Sequence, residues 1–151
     1  MGAASIETAR ASGQTLSLLV VDVDHFKLVN DRHGHPTGDR VLQALARFLR
    51  QRLRKTDVVA RYGGEEFAAV LCDTDATNAT VMMDKLREQF ATIIHHSDKS
   101  EPFCVTFSIG VADMTGRTAA RDMVLAADRA LYEAKHHGRN CVVASAAPGH
   151  L

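Results

Sequence analysis

Arg61-Tyr62-Gly63-Gly64-Glu65-Glu66-Phe67 lies between two short apolar runs, Val58-Val59-Ala60 and Phe67-Ala68-Ala69-Val70-Leu71. Paired glycines between two such runs read as a β-hairpin, because glycine admits the positive φ that tight hairpin turns use. A turn alone does not ask for two adjacent carboxylates at the mouth of an apolar strand. Glu65 and Glu66 repel each other, and a cation relieves that repulsion. The stretch therefore implies a hairpin and a divalent-cation site together.

Upstream, Leu16 to Val23 reads as a strand. Leu18-Leu19-Val20-Val21 is apolar on both faces, as in a central strand covered on both sides. Asp22 and Asp24 arrive at its C-terminal end, on one face by strand alternation, with Val23 opposite. His25 to Arg32 reads as a short helix broken by Gly34-His35-Pro36. Thr37 is placed to N-cap the next helix, where Val41, Leu42, Leu45, Phe48, Leu49 and Leu53 follow helical spacing. Downstream of the hairpin, Asp73-Thr74-Asp75 turns into a helix running to about Ile94, with Val81, Met82, Leu86, Phe90 and Ile93 inward. Phe103 to Val111 alternates as a strand through Phe103, Val105, Phe107 and Ile109. A helix from about Ala119 to His137 carries Met123, Val124, Ala127, Ala130, Leu131 and Ala134, and Gly138 suits its C′ position. Cys141-Val142-Val143 is a short last strand. The order βααββαβαβ predicts an α/β (α+β) fold, with a mixed central sheet of about five strands flanked by helices.

The 151 residues suit one domain. Its expected limits are residues 16–145, between an N-terminal remnant or linker at 1–15 and a tail at 146–151. Lys plus Arg and Asp plus Glu each number 18, so the formal net charge is zero. That balance argues against broad binding of duplex nucleic acid, which shows as a basic surplus. It leaves room for a local basic pocket. The three cysteines, Cys72, Cys104 and Cys141, are isolated in strand-like stretches and read as buried free thiols in a reducing cytosol. Among eight histidines, the adjacent pairs His95-His96 and His136-His137 make poor metal sites, since neighbours on a helix point apart. No run approaches transmembrane length and no signal peptide is visible, so the expected location is the cytoplasm.

Several motifs stand in order: Leu19-Val20-Val21-Asp22-Val23-Asp24-His25-Phe26-Lys27, then Asn30-Asp31, then Gly34-His35-Pro36-Thr37-Gly38-Asp39, then Arg61 to Phe67. Ala127-Asp128-Arg129-Ala130-Leu131-Tyr132-Glu133-Ala134-Lys135 follows, with Gly138-Arg139-Asn140. From about Leu16 to Val143 the chain resembles a GGDEF domain, the bacterial family of diguanylate cyclases and their inactive relatives. Gly-Gly-Glu-Glu-Phe alone is a weak signal; the ordered set at matching spacing is specific.

The resemblance implies a fold like the palm of adenylyl cyclases and polymerases. It also implies a reaction, condensation of two GTP into cyclic di-GMP with release of two pyrophosphates. Mg2+ or Mn2+ is the implied cofactor, with Asp22, Glu65 and the Val23 carbonyl as ligands and Glu66 as a second acid needed for activity. Metal ions make an attacking hydroxyl more acidic and neutralise phosphate charge, and magnesium takes oxygen ligands. Taken singly, Asp22 reads as an acid at a helix entry and the glutamates as a solvated turn. The resemblance further places the triphosphate at the N–H groups of His25, Phe26 and Lys27, a helix start that favours anions. Lys27, Lys135 and Arg139 would add positive charge, though the last two also suit a helix C-terminus without function. Asn30 and Asp39 match the guanine-reading positions. Arg54-Lys55-Thr56-Asp57 matches the family's Arg-x-x-Asp product-inhibition site. Lys85 stands where a further arginine is common there, and lysine lacks arginine's planar fork.

A two-fold symmetric product from one nucleotide site per domain implies an antiparallel homodimer during catalysis. Regulation in the family implies a sensory domain upstream. Family members begin with an Asp-x-Leu-Thr-Gly-Leu-x-Asn-Arg-Arg-like segment about two dozen residues before the first strand. Nothing in Met1 to Gln14 matches it, so the chain reads as truncated or as having lost that segment. Two other readings stay open: a silent module that binds GTP or cyclic di-GMP, and another palm-type nucleotidyl transferase.

Overall fold

Eight successive buried residues, Leu16–Val23, form β1, the middle strand of a five-stranded sheet ordered β2-β3-β1-β6-β7. This computed structural model describes residues 15–98, 100–117 and 119–146. The assignments to Met1–Gln14 and to all of the tail beyond residue 146 lie outside the described residues. β3 (Glu66–Cys72) and β6 (Phe107–Asp113) pair antiparallel with β1 on its two sides. β2 (Val58–Arg61) completes the hairpin with β3, and β7 (Val142–Ala144) runs parallel to β6. The mixed five-stranded sheet is the one the sequence predicts.

Four helices are described: α1 (Phe26–His33), α2 (His35–Arg52), α3 (Ala76–Phe90) and α4 (Ala120–His136). Alternation along β1 splits the core in two. Leu19, Val21 and Val23 pack with Leu45 and Phe48 of α2 and Met83 and Phe90 of α3. Leu16, Leu18 and Val20 pack with Met123, Ala127 and Leu131 of α4. Each such side chain contributes about 1.5–3 kcal/mol on burial, which is why a strand apolar on both faces sits at the centre. Asp22 is next in the series that faces α4.

Several expectations need correction. The paired glycines of the hairpin have no positive φ; among described glycines only Gly34, Gly116 and Gly138 do. Tyr62 to Glu65 make a four-residue loop, closed by Tyr62 N–H donating to the Glu66 carbonyl at 2.9 Å, and loops of that length do not need the mirror-image turns of two-residue hairpins. Thr37 is not an N-cap. Gly34 holds that position, Pro36 fits the first turn where no N–H is required, and Thr37 is buried inside it. α3 stops at Phe90 rather than near Ile94, with Asp75 capping its start by accepting from Asn78 N–H at 2.8 Å. Val81 faces solvent at 56% exposure, and Ala79, Met83, Leu86 and Phe90 form the buried stripe.

The expected strand from Phe103 to Val111 is interrupted at Cys104–Thr106. Its first part belongs to β5 (Ser100–Phe103), which pairs with β4 (His95–Ser97) in a separate two-stranded sheet that periodicity did not reveal. Phe103 leaves the main sheet because its ring stacks on His33, 3.8 Å between centroids, and lies against His95. His95-His96 is thus on a strand, not a helix, with His95 inside and His96 outside. The cysteines are free, but none is fully buried: Cys104 is exposed, Cys72 and Cys141 half-buried. No described helix is long and apolar enough to cross a membrane.

Gly110 of β6 carries the close contact between sheet and α4. A Cβ there would lie 2.2 Å from the Ala127 carbonyl oxygen and 2.4 Å from the Leu131 nitrogen, both backbone atoms that cannot turn aside. Gly110→Ala is expected to destabilise the fold by about 3 kcal/mol or more, at or above the usual cost of overpacking. Urea denaturation measures it, and a loss under about 1 kcal/mol would show that α4 shifts freely.

Candidate active site

The C-terminal end of β1, the β2–β3 loop and the last turn of α4 meet at Asp22. Its Cα stands opposite Glu66 on one side and Ser108 on the other. The Val23 N–H donates to the Glu65 carbonyl at 3.4 Å, which holds the loop against the strand end. The Asp22 side chain is 2% exposed. One carboxylate oxygen, Oδ2, forms an ion pair with Lys135 Nζ from the last turn of α4. The other, Oδ1, is buried and finds no donor.

Glu65 lies beside Asp22, two like charges that a shared proton or a cation relieves. Burial first, and then the Asp22 charge, push the Glu65 carboxyl above its ordinary range, with Lys135 partly offsetting. Glu66 is raised by the same two causes in the same order. Three carboxyls share one small region with one ammonium, so the site holds surplus negative charge. An orphaned buried oxygen and an all-oxygen donor set fit a hard divalent cation. Among the described residues no three His, Cys, Asp or Glu side chains converge as ligands. The expected set of Asp22, Glu65 and the Val23 carbonyl uses only two side chains, with Glu66 beside them.

The glycine loop leaves open space above these acids. A Cβ on Gly64 would touch nothing within 4 Å, and one on Gly63 only the Glu66 side chain at 3.6 Å and beyond. Neither φ nor internal crowding requires glycine at these two positions. Tyr62, beside them, lies close to Asp128 of α4; burial first, and then the Asp128 charge, push its hydroxyl above its ordinary range.

α1 starts two residues beyond Asp24, after His25. His25 is exposed at φ 55, and no side chain caps this helix start. The first-turn N–H groups therefore have neither a helical carbonyl nor a capping oxygen. Phe26 has its ring in the core, so only its N–H can serve a ligand. Lys27 is 91% exposed and pairs loosely with Asp31 at 3.8 Å. Asn30 lies over Gly38, where a Cβ would fall 1.9 Å from its Oδ1, and that oxygen is buried without a partner. Asp39 is exposed next to Gly38, just past the first turn of α2. α1 and α2 thus place Asn30 against Gly38, the residue before Asp39.

Beyond α4, Gly138, Arg139 and Asn140 have φ of 101, 64 and 48, three left-handed residues in succession. Asp24 holds this loop. Its carboxylate accepts from Asn140 N–H at 2.9 Å, Thr106 Oγ1 at 2.7 Å and Ser108 Oγ at 2.6 Å. Arg87 of α3 donates to Asn140 Oδ1 at 2.9 Å. Asp24, Arg87 and Ser108 carry no role in the sequence reading. The one signal was that Asp24 shares the face of Asp22.

The Arg-x-x-Asp pair is held within the chain. The Asp57 side chain is 2% exposed and accepts from the N–H groups of Arg54 at 2.9 Å and Cys72 at 3.1 Å. Arg54 donates to Thr74 Oγ1 at 3.0 Å and to the Cys72 carbonyl. Lys85 stands exposed on α3, and among the described residues no hydrogen bond or ion pair joins it to either.

Residues 3–141 match the family model described as diguanylate cyclase, GGDEF domain. The diguanylate cyclase DgcP of Pseudomonas aeruginosa is 42% identical over 128 residues, which cover 85% of this chain and 19% of that protein. The chain thus spans about a fifth of that relative's length. The active GGEEF domain of a diguanylate cyclase from Vibrio cholerae superposes with a TM-score of 0.86 at 32% identity, covering 95% of this chain and 91% of that one. The GGDEF domain of DgcB from Caulobacter crescentus, solved in complex with c-di-GMP, gives 0.85 at 33% identity, covering 91% and 82%.

Asp24→Ala would strip three donors of their shared acceptor. Unsatisfied buried groups cost about 1–3 kcal/mol each, and a loss of roughly 2–4 kcal/mol is expected. Urea denaturation reads it directly; a change below about 1 kcal/mol would mean the loop is held by Arg87 alone.

Proposed function

The chain belongs to the GGDEF domain family of diguanylate cyclases, and from that premise we propose that it condenses two GTP into cyclic di-GMP and two pyrophosphates. The observation that carries this reading is Asp22, buried with one oxygen unpaired, beside Glu65 and beneath a bare glycine loop. Asp22, Glu65 and the Val23 carbonyl would hold Mg2+ or Mn2+. Such an ion, when bound, makes a ribose 3′-hydroxyl more acidic and neutralises phosphate charge.

The chain's own residues supply the rest. The N–H groups of His25, Phe26 and Lys27 receive phosphate oxygens at the uncapped start of α1. Lys27, Lys135 and Arg139 add positive charge around them, and the left-handed turn fixes where the Arg139 side chain starts. Gly63 and Gly64 let a nucleotide approach their backbone closely, which explains glycines that the loop itself does not require. Glu66 keeps the negative potential that draws a cation to the site. Asn30 and Asp39 read guanine: a carboxylate accepts from its N1–H and N2–H groups, and an amide pairs with either edge. The unpaired buried Asn30 oxygen supports a ligand there.

Each chain has one such site, and the product joins two identical nucleotides through two equivalent bonds. Each new 3′-oxygen–phosphorus bond forms as an α–β phosphoanhydride bond breaks, so two sites must face each other in a homodimer. Arg54 and Asp57 are the proposed product site, with Lys85 as a weaker third contact. Arginine grips phosphate in a planar fork that lysine cannot reproduce.

Incubation with GTP and magnesium is expected to yield cyclic di-GMP, with product rising more steeply than linearly in protein concentration. Asp39→Ala should weaken GTP binding by about tenfold while the domain stays folded, the scale of one lost charged hydrogen bond. Retained GTP binding without product would mark a silent module, and unchanged affinity in Asp39→Ala would remove that residue from the guanine site.

Cyclic di-GMP titrated by calorimetry is expected to bind the wild type and to bind Arg54→Ala about tenfold or more weakly. Equal affinities would reject the product site.

A further inference from the structure

We propose that Lys135 and the divalent cation compete for one carboxylate, Asp22, so that cation and nucleotide binding are thermodynamically linked through Lys135. The inference rests on reading Asp22 and Glu65 as cation ligands. It goes further by giving Lys135 two alternative partners, the carboxylate and the triphosphate.

The geometry is direct. Asp22 is sealed in the sheet at 2% exposure, while the Lys135 side chain is 32% exposed at the rim. The ammonium sits on Oδ2, and Oδ1 has no donor. Asp22 therefore offers a cation one free oxygen and one oxygen already facing a positive charge. A divalent ion and an ammonium on the same buried carboxylate repel each other in a region that screens poorly. One of them must give way, and only the lysine has somewhere to go. Its flexible four-carbon stem is anchored in the last turn of α4, close to solvent.

The carboxylate itself cannot move aside. Its backbone is paired on both sides in the middle of the sheet, to Glu66 and to Ser108. Glu65 and Glu66 both feel the Lys135 charge, which lowers what burial and Asp22 raise. The ammonium is thus the local counter-charge for the whole acidic group. Once a cation takes that part, a released ammonium next to the loop of Arg139 faces outward, where a triphosphate would lie. Cation binding then favours nucleotide binding, and by linkage nucleotide favours the cation to the same degree.

Lys135→Met separates these effects without nucleotide or turnover. Expected is a lower Tm than wild type without divalent ion, because Asp22 is left buried and unpaired. Added manganese should restore several degrees, at matched ionic strength, while moving the wild type little. Direct manganese binding followed by electron paramagnetic resonance should be about tenfold or more tighter in Lys135→Met than in wild type, a shift of about 1.4 kcal/mol. Equal affinities in the two chains would overturn the competition while leaving the cation site standing. No binding by either chain at any manganese concentration would overturn the cation-ligand reading itself.

A Lys135→Met chain that folds only with manganese supports the proposal. A chain that folds under neither condition passes the decision to the wild type. There, saturating manganese should raise the rate at which an amine-reactive reagent labels Lys135 severalfold, read by peptide mass spectrometry. An unchanged or slower rate would overturn the proposal.

Discussion

A carboxylate at the end of the central strand, buried without enough donors, is the constraint on which the site depends. Moving an ionised Asp22 out of water is costly unless a positive charge and hydrogen bonds replace the solvent. The fold supplies one ammonium, from the helix that packs over the same face of β1, and leaves one oxygen unmet. That single ion pair joins β1 to α4 on the sheet face that α4 covers. It also explains the arrangement around it: the acids of the loop raise the demand for positive charge, and α4 must approach closely enough for Lys135 to reach. Gly110 permits that approach, since any Cβ there would strike the α4 backbone. Packing and electrostatics are therefore one problem in this half of the molecule.

How much of this was legible beforehand depends on whether a feature is periodic. β1 was readable because eight apolar-rich residues leave no polar face, and its two series meet two different helix layers. α2 and α4 were readable because their apolar stripes are clean. α3 was not, because Val81, Met82 and Met83 are three apolar neighbours, and only the packing of Met83 against Phe90 and the sheet chooses the phase. The break at Cys104–Thr106 was invisible because alternation continues through it; a ring stack between His33 and Phe103 decides the matter from 70 residues away. The glycine loop stands out in the sequence for a physical reason that the fold does not share. Its glycines look like turn chemistry, yet neither has a positive φ, and an added Cβ would meet nothing at Gly64 and only the Glu66 side chain, at ordinary contact distance, at Gly63.

The cluster of Asp22 and Glu65 was anticipated from like charges and ordered motifs, but its counter-charge was not. Lys135 was legible as a cation for the triphosphate through the resemblance, and otherwise as a cation near a helix end, where such residues are common without function; its pairing with Asp22 was not. The loop that follows was legible at Gly138 alone. Arg139 and Asn140 adopt left-handed backbones that non-glycine residues seldom take. Nothing local in their sequence announces it, because the cause lies in contacts with Asp24 and Arg87, each more than 50 residues away along the chain.

Three buried aspartates show how structure and function can be told apart by counting partners. Asp24, 5% exposed, accepts from a backbone N–H and two hydroxyls. Asp57 accepts from two backbone N–H groups and faces Arg54. Both are fully provided for by the chain, and both organise loops. Asp22 alone keeps an oxygen with no donor, and it alone sits among other acids. Burial is common to all three, so burial does not mark the site. Among these three carboxylates, incomplete satisfaction in the company of other acids does, since a buried polar atom without a partner costs stability. The Arg-x-x-Asp pair resembles a ligand site in sequence. In the fold, Asp57 first serves the chain, and whatever it offers a ligand comes through Arg54, whose exposed guanidinium remains at the surface.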